Sequence, residues 1–263
     1  MTNFSRLIFC LATVAIMISG ASLAQEREKQ PLYLSVDCMK STNADYTSVE
    51  LEIWRAMHQE LVNRGEQNSW ALYWVMYGDR SKCDYYTVTT HLGDEQLNAN
   101  PSISDVFKAV HPGDDFEEAM VRTWASRQHV ATELWVAVDG TEVKEHRFAV
   151  VNRMNASDPD AYEGMESRVF KPGHEALLAS GHRAGWGMYA LITPIGTSTP
   201  YNYSTVDFSN VLNPVPMAEA MLAANPDRDL NEMHDLLELR EHVGSQTWSL
   251  VASTENPPSE THK

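Results

Sequence analysis

The chain has 263 residues, 43% of them hydrophobic, and a formal net charge of −16 at pH 7. This apolar content is enough for a folded core and excludes a disordered chain. The length allows one large domain or two domains of ordinary size. The acidic balance argues against binding nucleic acid or an anionic membrane, because both need clustered Lys and Arg.

Residues 1–24 predict a secretory signal peptide. Arg6 is the only charged residue before an apolar run over residues 7–18, and that run is too short to span a bilayer. Ser22 and Ala24 supply small residues before a cleavage site, with Gln25 as the new N-terminus. We therefore expect a periplasmic or secreted protein without a membrane span; an uncleaved anchor is the alternative.

The mature chain keeps two cysteines, Cys38 and Cys83. Export would make a disulfide chemically possible. The fold predicted below places the two residues at opposite ends of neighbouring strands, so we expect two free or buried thiols.

An internal repeat is the most informative feature of the sequence. Seven positions recur at a constant offset of 116 residues, six of them with the same residue. They are Tyr46, Glu50, Trp54, His58, Leu61, Gly65 and Trp70, matched by Tyr162, Glu166, Phe170, His174, Leu177, Gly181 and Trp186. So many ordered matches indicate one unit written twice in tandem.

Hydrophobic periodicity predicts the same element order, β-α-β-β-α-β, in both copies. In the first copy we expect strands 32–38, 70–77, 85–91 and 133–138 with a first helix over 45–64. In the second we expect strands 147–154, 185–193, 202–208 and 246–252 and helices 159–180, 215–224 and 229–242. Pro172 is expected to kink its helix. The predicted units are 30–139 and 146–252, followed by a disordered tail at 253–263.

This element order is that of the ferredoxin-like unit, so the predicted fold class is α+β. One such sheet carries helices on one face only, and its other face needs a cover. A second copy in the same chain can supply it. We therefore predict two sheets packed face to face about a pseudo-twofold axis, enclosing a barrel-like space.

Residues 30–252 resemble the dimeric α+β barrel superfamily. The resemblance rests on the element order, the duplication and the helix pattern Tyr46, Glu50, Trp54, His58. That group includes EthD-like, NIPSNAP-like and antibiotic-biosynthesis-monooxygenase-like proteins. Its members include cofactor-independent oxygenases, haem-binding enzymes, isomerases, lyases and proteins with no known activity. The resemblance therefore implies an architecture without implying one chemistry.

Three pairs of polar residues recur in the first helix of each copy and are the candidate catalytic residues: Tyr46, Glu50, His58, Tyr162, Glu166 and His174. They share one side of the helix. Two interpretations stay open. The set lies at the edge of the cavity, where it moves protons near neutral pH, or it anchors the helix to the sheet through hydrogen bonds.

Strand residues are the candidate ligand surface, because one face of each sheet should meet the cavity. The candidates are Tyr33, Asp37, Trp70, Tyr85, His91, Trp135, Trp186, Tyr203, Asp207 and Trp248. An aromatic lining with a few polar groups is typical of small-molecule sites. The alternative is that these aromatic residues only fill the interface between the two halves.

No metal or cofactor is predicted, since the sequence lacks His-x-His, His-Glu-x-x-His and Cys-x-x-Cys motifs. The leading hypothesis is an exported small-molecule-binding protein or cofactor-independent enzyme with its site between the repeats. A non-catalytic periplasmic interaction or assembly protein, able to form further homo-oligomers, is the alternative, and a haem or metal protein is a distant third. Because Asp37 in one copy is matched with Arg153 in the other, we expect an asymmetric site.

Overall fold

The computed structural model describes residues 30–212, 217–227 and 230–255. The predicted signal peptide, and the predicted tail beyond residue 255, lie outside the described residues. Within these ranges, no helix is both long enough and apolar enough to cross a membrane.

The first repeat follows the predicted order with additional short helices. Helix α1 comprises three consecutive segments, Tyr46–Val49, the π-helical turn Glu50–Trp54, and Arg55–Asn63. The other elements are β1 Leu32–Ser41, β2 Ser69–Tyr77, β3 Tyr85–Leu92, α2 Gly93–Leu97, α3 Ile103–Val110, α4 Phe116–Ser126 and β4 Arg127–Gly140.

The second repeat has the same arrangement. Helix α5 again has three segments, Pro159–Met165, the π-helical turn Glu166–Phe170, and Lys171–Ala179. The other elements are β5 Phe148–Ala156, β6 Gly185–Thr193, β7 Tyr203–Ser209, α6 Met217–Ala224, α7 Leu230–Leu237 and β8 Arg240–Ser253.

The strands close into one antiparallel barrel in the order β1-β3-β2-β8-β5-β7-β6-β4. Each repeat contributes four neighbouring strands, and the repeats are joined through the pairs β2–β8 and β4–β6. Since neighbours alternate in direction, β1 and β5 run the same way on opposite sides, and the pseudo-twofold axis follows the barrel axis. Closure leaves no unpaired strand edge in the barrel, and each repeat covers the inner face of the other, as the duplication predicted.

The barrel has two distinct ends. At the linker end, residues 141–147 connect β4 of the first repeat to β5 of the second. At the hairpin end lie the β2–β3 connection, residues 78–84, and the β6–β7 connection, residues 194–202. The alternation of side chains along each strand sends one set into the barrel and the other set against the helices.

The barrel interior and the helix-covered outside each have their own packed clusters. The inner cluster is Val36, Tyr73, Val75, Trp135, Ala149, Val151 and Trp248. Outer clusters between helices and sheet form separately in the two repeats, around Tyr46 and Trp70 in the first and around Tyr162 and Trp186 in the second. Each repeat therefore has a core of its own and shares a second one with its neighbour.

The irregularity in the first helix is common to both repeats. The π-helical turn begins at Glu50 in α1 and at the equivalent Glu166 in α5. Pro172 follows the second turn, whereas Ala56 occupies the equivalent place in the first repeat. The predicted distortion is present, but its recurrence without proline shows that Pro172 is not its cause.

The last strand of each repeat starts earlier than the sequence predicted. Strand β4 begins at Arg127 and β8 at Arg240, whereas the predictions began at residues 133 and 246. Helix α7 accordingly ends at Leu237 and not at residue 242. The added residues are mostly exposed and polar, and they become strand by pairing with the distal ends of β1 and β5.

The prediction of two free thiols was wrong, because Cys38 and Cys83 form a disulfide with a Cα–Cα distance of 5.4 Å. Cys83 lies in the β2–β3 connection and not within a strand. That connection folds back onto the end of β1, where the Asp84 amide donates to the Met39 carbonyl at 2.9 Å. This return brings the two sulfur atoms together at the hairpin end.

Candidate functional site

The barrel encloses a cavity of about 530 Å³ between the two repeats. Both repeats contribute to its wall, which is mainly apolar and aromatic: Leu34, Val36, Ala71, Tyr73, Val88, Trp135, Ala149, Val151, Tyr189, Val206, Phe208, Trp248 and Leu250. A concave apolar wall interrupted by a few polar groups is the usual form of a small-molecule site.

The rim of the cavity at the linker end is polar. Lys144 and Glu145, both exposed, belong to the lining, so the cavity reaches the surface there. His146 lies just inside: its Nδ1 donates to the Lys144 carbonyl at 3.0 Å, and its Nε2 accepts from the Tyr73 hydroxyl at 2.9 Å. Burial lowers the pKa of His146, which keeps the ring neutral and able to accept this bond.

The hairpin end of the barrel contains a polar group of four residues, Glu133, Trp135, Arg153 and Tyr201, which we call the Arg153 cluster. Arg153 Nη2 donates to Glu133 Oε2 at 3.0 Å, and Trp135 Nε1 donates to the same oxygen at 3.1 Å. The Tyr201 hydroxyl donates to Glu133 Oε1. The Arg153 guanidinium lies over the rings of Trp135 and Tyr201, at 4.5 and 5.2 Å from their centroids.

The Arg153 cluster occupies the place that the disulfide has in the first repeat. The Asn202 amide donates to the Met154 carbonyl at 3.0 Å, repeating the bond from Asp84 to Met39. Arg153 and Tyr201, each one residue before these, are therefore the equivalents of Cys38 and Cys83. The sequence comparison had matched Arg153 with Asp37, and this was wrong by one residue.

The residue of the second repeat that is structurally equivalent to Asp37 is Asn152. Thr87 donates to Asp37, and Asn152 makes the corresponding contact with Thr205. The misalignment arises because the connection from the first strand to the first helix is one residue longer in the second repeat. The offset of 116 therefore holds for the helix and fails for the strand before it. The copies are asymmetric as expected, but at a different pair of positions.

The predicted ligand residues lie in three places. Trp135 and Trp248 lie in the inner wall of the cavity. Trp70 contributes to the rim, although its ring stacks on His58 outside the barrel. The remaining residues lie on the outer, helix-facing side: Tyr33, Asp37, Tyr85, His91, Trp186, Tyr203 and Asp207.

The expectation that these residues face the cavity was therefore wrong for the seven on the outer side. On β1, β3 and β7 the more apolar side turns inward, where the two repeats exclude water together. The polar side turns outward, where the hydroxyls of Tyr33, Tyr85 and Tyr203 form hydrogen bonds with helix residues. Sequence reasoning consequently missed most of the wall, including Arg153 and His146. The alternation that separates the two sides was visible in the sequence, but their assignment to inside and outside was reversed.

Outside the barrel, each repeat buries a Tyr–Glu–Arg group at its π-helical turn. In the first repeat, Arg127 Nη1 donates to Glu50 Oε1, and Glu50 is only 1% exposed. Burial raises the pKa of the Glu50 carboxyl to about 7, against the lowering influence of Arg127. The buried Tyr46 hydroxyl has no hydrogen-bond partner among the described residues.

The same group is looser in the second repeat. Arg240 Nε lies 3.4 Å from Glu166 Oε1, and neither atom makes a hydrogen bond of good geometry within the described residues. The Tyr162 hydroxyl is also unpaired there. Burial raises the pKa of Glu166 to about 7 as well. The buried Tyr162 hydroxyl lies beside a long ion pair and has no hydrogen-bond partner of its own among the described residues, and such an atom calls for water or a small ligand.

The two helix histidines lie further along the same layer. His58 stacks on Trp70 and donates from Nδ1 to Gln67 Oε1 at 3.0 Å. His174 stacks on Trp186, and its Nδ1 accepts from Arg183. Burial lowers the pKa of His58 to about 4 and that of His174 to about 2, the latter with help from the Arg183 charge.

All six candidate catalytic residues therefore lie in the helix–sheet layer and not in the barrel cavity. This placement agrees with the anchoring interpretation of their position, and a catalytic role for them stays a prediction. Within the described ranges, no group of three or more His, Cys, Asp or Glu residues is arranged to hold a metal ion.

Comparison with known proteins finds chains that are similar to this one in structure. No protein-family model matches the chain, and no curated protein is detectably similar in sequence. A Fusobacterium nucleatum subsp. nucleatum protein provisionally assigned as a monooxygenase is 10% identical with a TM-score of 0.51, covering 87% of this chain and 95% of its own. A Lactobacillus acidophilus protein with the same provisional assignment is 14% identical, with a TM-score of 0.45 and coverages of 87% and 97%.

A mutant chlorite dismutase from Candidatus Nitrospira defluvii is 9% identical, with a TM-score of 0.43 and coverages of 85% and 92%. Identities this low concern the fold alone. The fold itself is settled by the strand order, the closure between repeats and the Fusobacterium likeness together. The chain has the dimeric α+β barrel fold, with both ferredoxin-like halves carried in one polypeptide.

Proposed function

We propose that this protein binds a small, largely apolar molecule in the cavity inside the barrel. The observation that carries the proposal is the cavity itself, about 530 Å³ with walls from both repeats. Protein interiors are normally close-packed and leave few voids larger than a water molecule. A cavity of this size inside an otherwise packed barrel is therefore best explained by a ligand.

The linker-end rim supports the same proposal. Exposed residues Lys144 and Glu145 border the cavity, so a molecule can enter without opening the barrel. Inside the rim, His146 and Tyr73 present a paired imidazole and hydroxyl beside the apolar wall. Few polar groups against much apolar area favour binding driven by burial, with the polar groups selecting orientation.

A cavity-filling substitution tests the proposal. The neutral dye Nile red is titrated into the mature chain beginning at Gln25 and into the Ala149→Trp variant. Ala149 lies in the wall and is 1% exposed, so the new indole should occupy the cavity and weaken dye binding by roughly tenfold or more, about 1.4 kcal/mol. Ala131→Trp, an exposed position on β4, is the matched control. Equal affinity in all three proteins would refute binding inside the barrel.

We propose in addition that the protein is exported. Residues 1–24 support this through their signal-peptide pattern, and the Cys38–Cys83 disulfide supports it because such bonds persist in oxidising compartments. N-terminal sequencing of protein from separated cell fractions tests the proposal. We expect Gln25 as the first residue, in the periplasm or the medium; an intact N-terminus in the cytoplasm would contradict it.

A second candidate function is proton transfer in the helix–sheet layer of the second repeat. The unpaired Tyr162 hydroxyl beside Glu166, whose pKa is about 7, supports this candidate. Once a ligand is identified by native mass spectrometry, turnover of that ligand is compared in Glu166→Gln and Glu50→Gln. A loss confined to Glu166→Gln is expected for a catalytic group. Unchanged turnover in both variants would remove this candidate.

A further inference from the structure

The Arg153 cluster gives the cavity a chemically distinct inner end. Arg153 belongs to the lining of the cavity, whereas Glu133 does not. A ligand in the barrel can therefore contact Arg153, whereas Glu133 lies outside the lining. Both side chains are largely buried, at 16% and 15% exposure, so water competes weakly for their hydrogen bonds.

The hydrogen-bonding groups of the Arg153 cluster are satisfied to different extents. Glu133 is well satisfied, because Arg153, Trp135 and Tyr201 all donate to its two oxygens. Arg153 donates one hydrogen bond, to Glu133, within the described part of the chain. A guanidinium has five N–H donors and matches a carboxylate with two parallel bonds. Arg153 thus retains donors for an acceptor in the cavity, whereas Glu133 has little capacity left.

Among the described residues of the lining, no second charged side chain lies at this depth beside Arg153. The other charged residues of the lining are Lys144 and Glu145, which belong to the exposed linker at the opposite end of the barrel. Between the two ends the wall is apolar and aromatic. The cavity therefore offers one buried cation at its inner end and apolar area along its length.

Resting on the proposed function, we propose that the ligand is an amphipathic anion, with an apolar body along the barrel and one carboxylate-like group hydrogen-bonded to Arg153. The first repeat has no matching site: the equivalents of Arg153 and Tyr201 are Cys38 and Cys83 of the disulfide, and Gln246 replaces Glu133. One ligand orientation is therefore favoured over the orientation related by the pseudo-twofold axis.

Two ligands with the same chain length test the charge. Decanoate and decan-1-ol are titrated into the mature chain at about pH 8, where a carboxylic acid is ionised. Tryptophan fluorescence is the readout, since Trp135 and Trp248 lie in the wall. We expect decanoate to bind roughly tenfold more tightly than decan-1-ol, because a charge-assisted bond in a buried site exceeds a neutral one.

Two variants separate recognition by Arg153 from a structural role. Glu133→Gln leaves Arg153 without its carboxylate partner and should tighten decanoate binding by roughly three- to tenfold, with decan-1-ol unchanged. Glu133→Gln combined with Arg153→Met removes the buried charge without leaving its partner unpaired, and should abolish the preference for decanoate. A loss of packing alone would weaken both ligands together and would not produce opposite effects.

The outcomes distinguish this inference from the proposed function. Equal binding of decanoate and decan-1-ol to the unmodified chain overturns the anion site and leaves the cavity proposal standing. Weaker decanoate binding by Glu133→Gln also overturns the anion site. Failure of both ligands to bind, together with no effect of Ala149→Trp on Nile red, overturns the anion site and the proposed function together.

Discussion

In the first repeat a covalent bond, Cys38–Cys83, ties the β2–β3 connection to β1; in the second repeat, Arg153 stacked on Tyr201 holds the equivalent connection to β5. The backbone hydrogen bonds around the two pairs are the same. The same structural requirement is thus met by a disulfide on one side and by a charged cluster on the other. Only the second solution also places a charge in the cavity.

A second difference lies in the helix–sheet layer. Gln67 is the partner of His58, but its equivalent Arg183 contacts His174 and donates to Asp207 at 2.5 Å. The first repeat is neutral at this place and the second is ionic. Both differences have the same direction. The two repeats share one backbone fold, and at both places the second repeat carries charged side chains where the first does not.

Removing the disulfide should have the largest effect on stability. Cys38→Ala with Cys83→Ala opens a loop with a sequence separation of 45 residues. Chain entropy then predicts a loss of about 4 kcal/mol in the free energy of unfolding. Urea denaturation measures it. A reductant should destabilise the unmodified chain similarly and leave the variant unchanged; equal midpoints for the two proteins would show that the disulfide does not stabilise the barrel.

The Arg183–Asp207 ion pair of the second repeat should make the free energy of unfolding sensitive to single substitutions. Arg183→Gln, which copies Gln67, leaves Asp207 without its cation and should cost about 2–3 kcal/mol, below the full cost of breaking a completely buried pair because Asp207 is 23% exposed. Adding Asp207→Thr, which copies Thr89 of the first repeat, should recover most of this loss. A double-mutant cycle measured by urea denaturation checks the coupling; additive losses would contradict it.

The equivalence of the two hairpin ends can be tested by copying the disulfide. Arg153→Cys and Tyr201→Cys, with Glu133→Gln to avoid an unpaired buried carboxylate, should form a second disulfide. Its oxidised form should exceed its reduced form in stability by about 2 kcal/mol, since engineered bonds deliver less than chain entropy predicts. Mass spectrometry and urea denaturation provide the readout. Persistent free thiols under oxidising conditions would mean that the two ends are not superimposable.

The buried glutamates should give the smallest effect, and an equal one in both repeats. Their pKa of about 7 lies above the usual carboxyl value, so the folded state holds protons that the unfolded state has released. The contribution of each glutamate to stability should therefore fall by about 1 kcal/mol as pH rises from about 6.5 to 8. His58 and His174, whose pKa values are lowered by burial, act in the opposite direction in the lower part of this window, because an unfolded histidine with a pKa of about 6.5 is still half protonated there.

Glu50→Gln and Glu166→Gln should each remove one such contribution, seen as the difference in slope between the variant and the unmodified chain. Thermal or urea denaturation across the same window measures the slopes, with Glu52→Gln, an exposed neighbour, as the control. A slope that neither substitution changes would assign the pH dependence to other groups.

Much of the architecture could be predicted, because the residues that define the repeat have positions determined by local backbone conformation and periodicity. Gly65 and Gly181 end the first helix of each copy with positive φ, as their spacing after Leu61 and Leu177 indicated. Duplication of an open sheet implied that the second copy covers the exposed face of the first. These features depend on local periodicity or on counting faces, and both are readable from one sequence.

The site was harder to predict, because it depends on contacts between distant segments. The alternation in β1 separated Leu34 and Val36 from Tyr33 and Asp37, but nothing local says which side meets the second repeat. The disulfide required knowing that the β2–β3 connection folds back. Arg153 was noticed as a difference between copies, yet a single added residue before α5 hid its true counterpart, Cys38.

The linker over residues 141–147 has a consequence for how this barrel behaves in dilute solution. A barrel assembled from two separate chains falls apart below its dissociation constant, and its melting temperature changes with protein concentration. Here the two halves are held at a high effective concentration by their short connection. The cavity between them should therefore persist at any dilution, and unfolding should be independent of protein concentration.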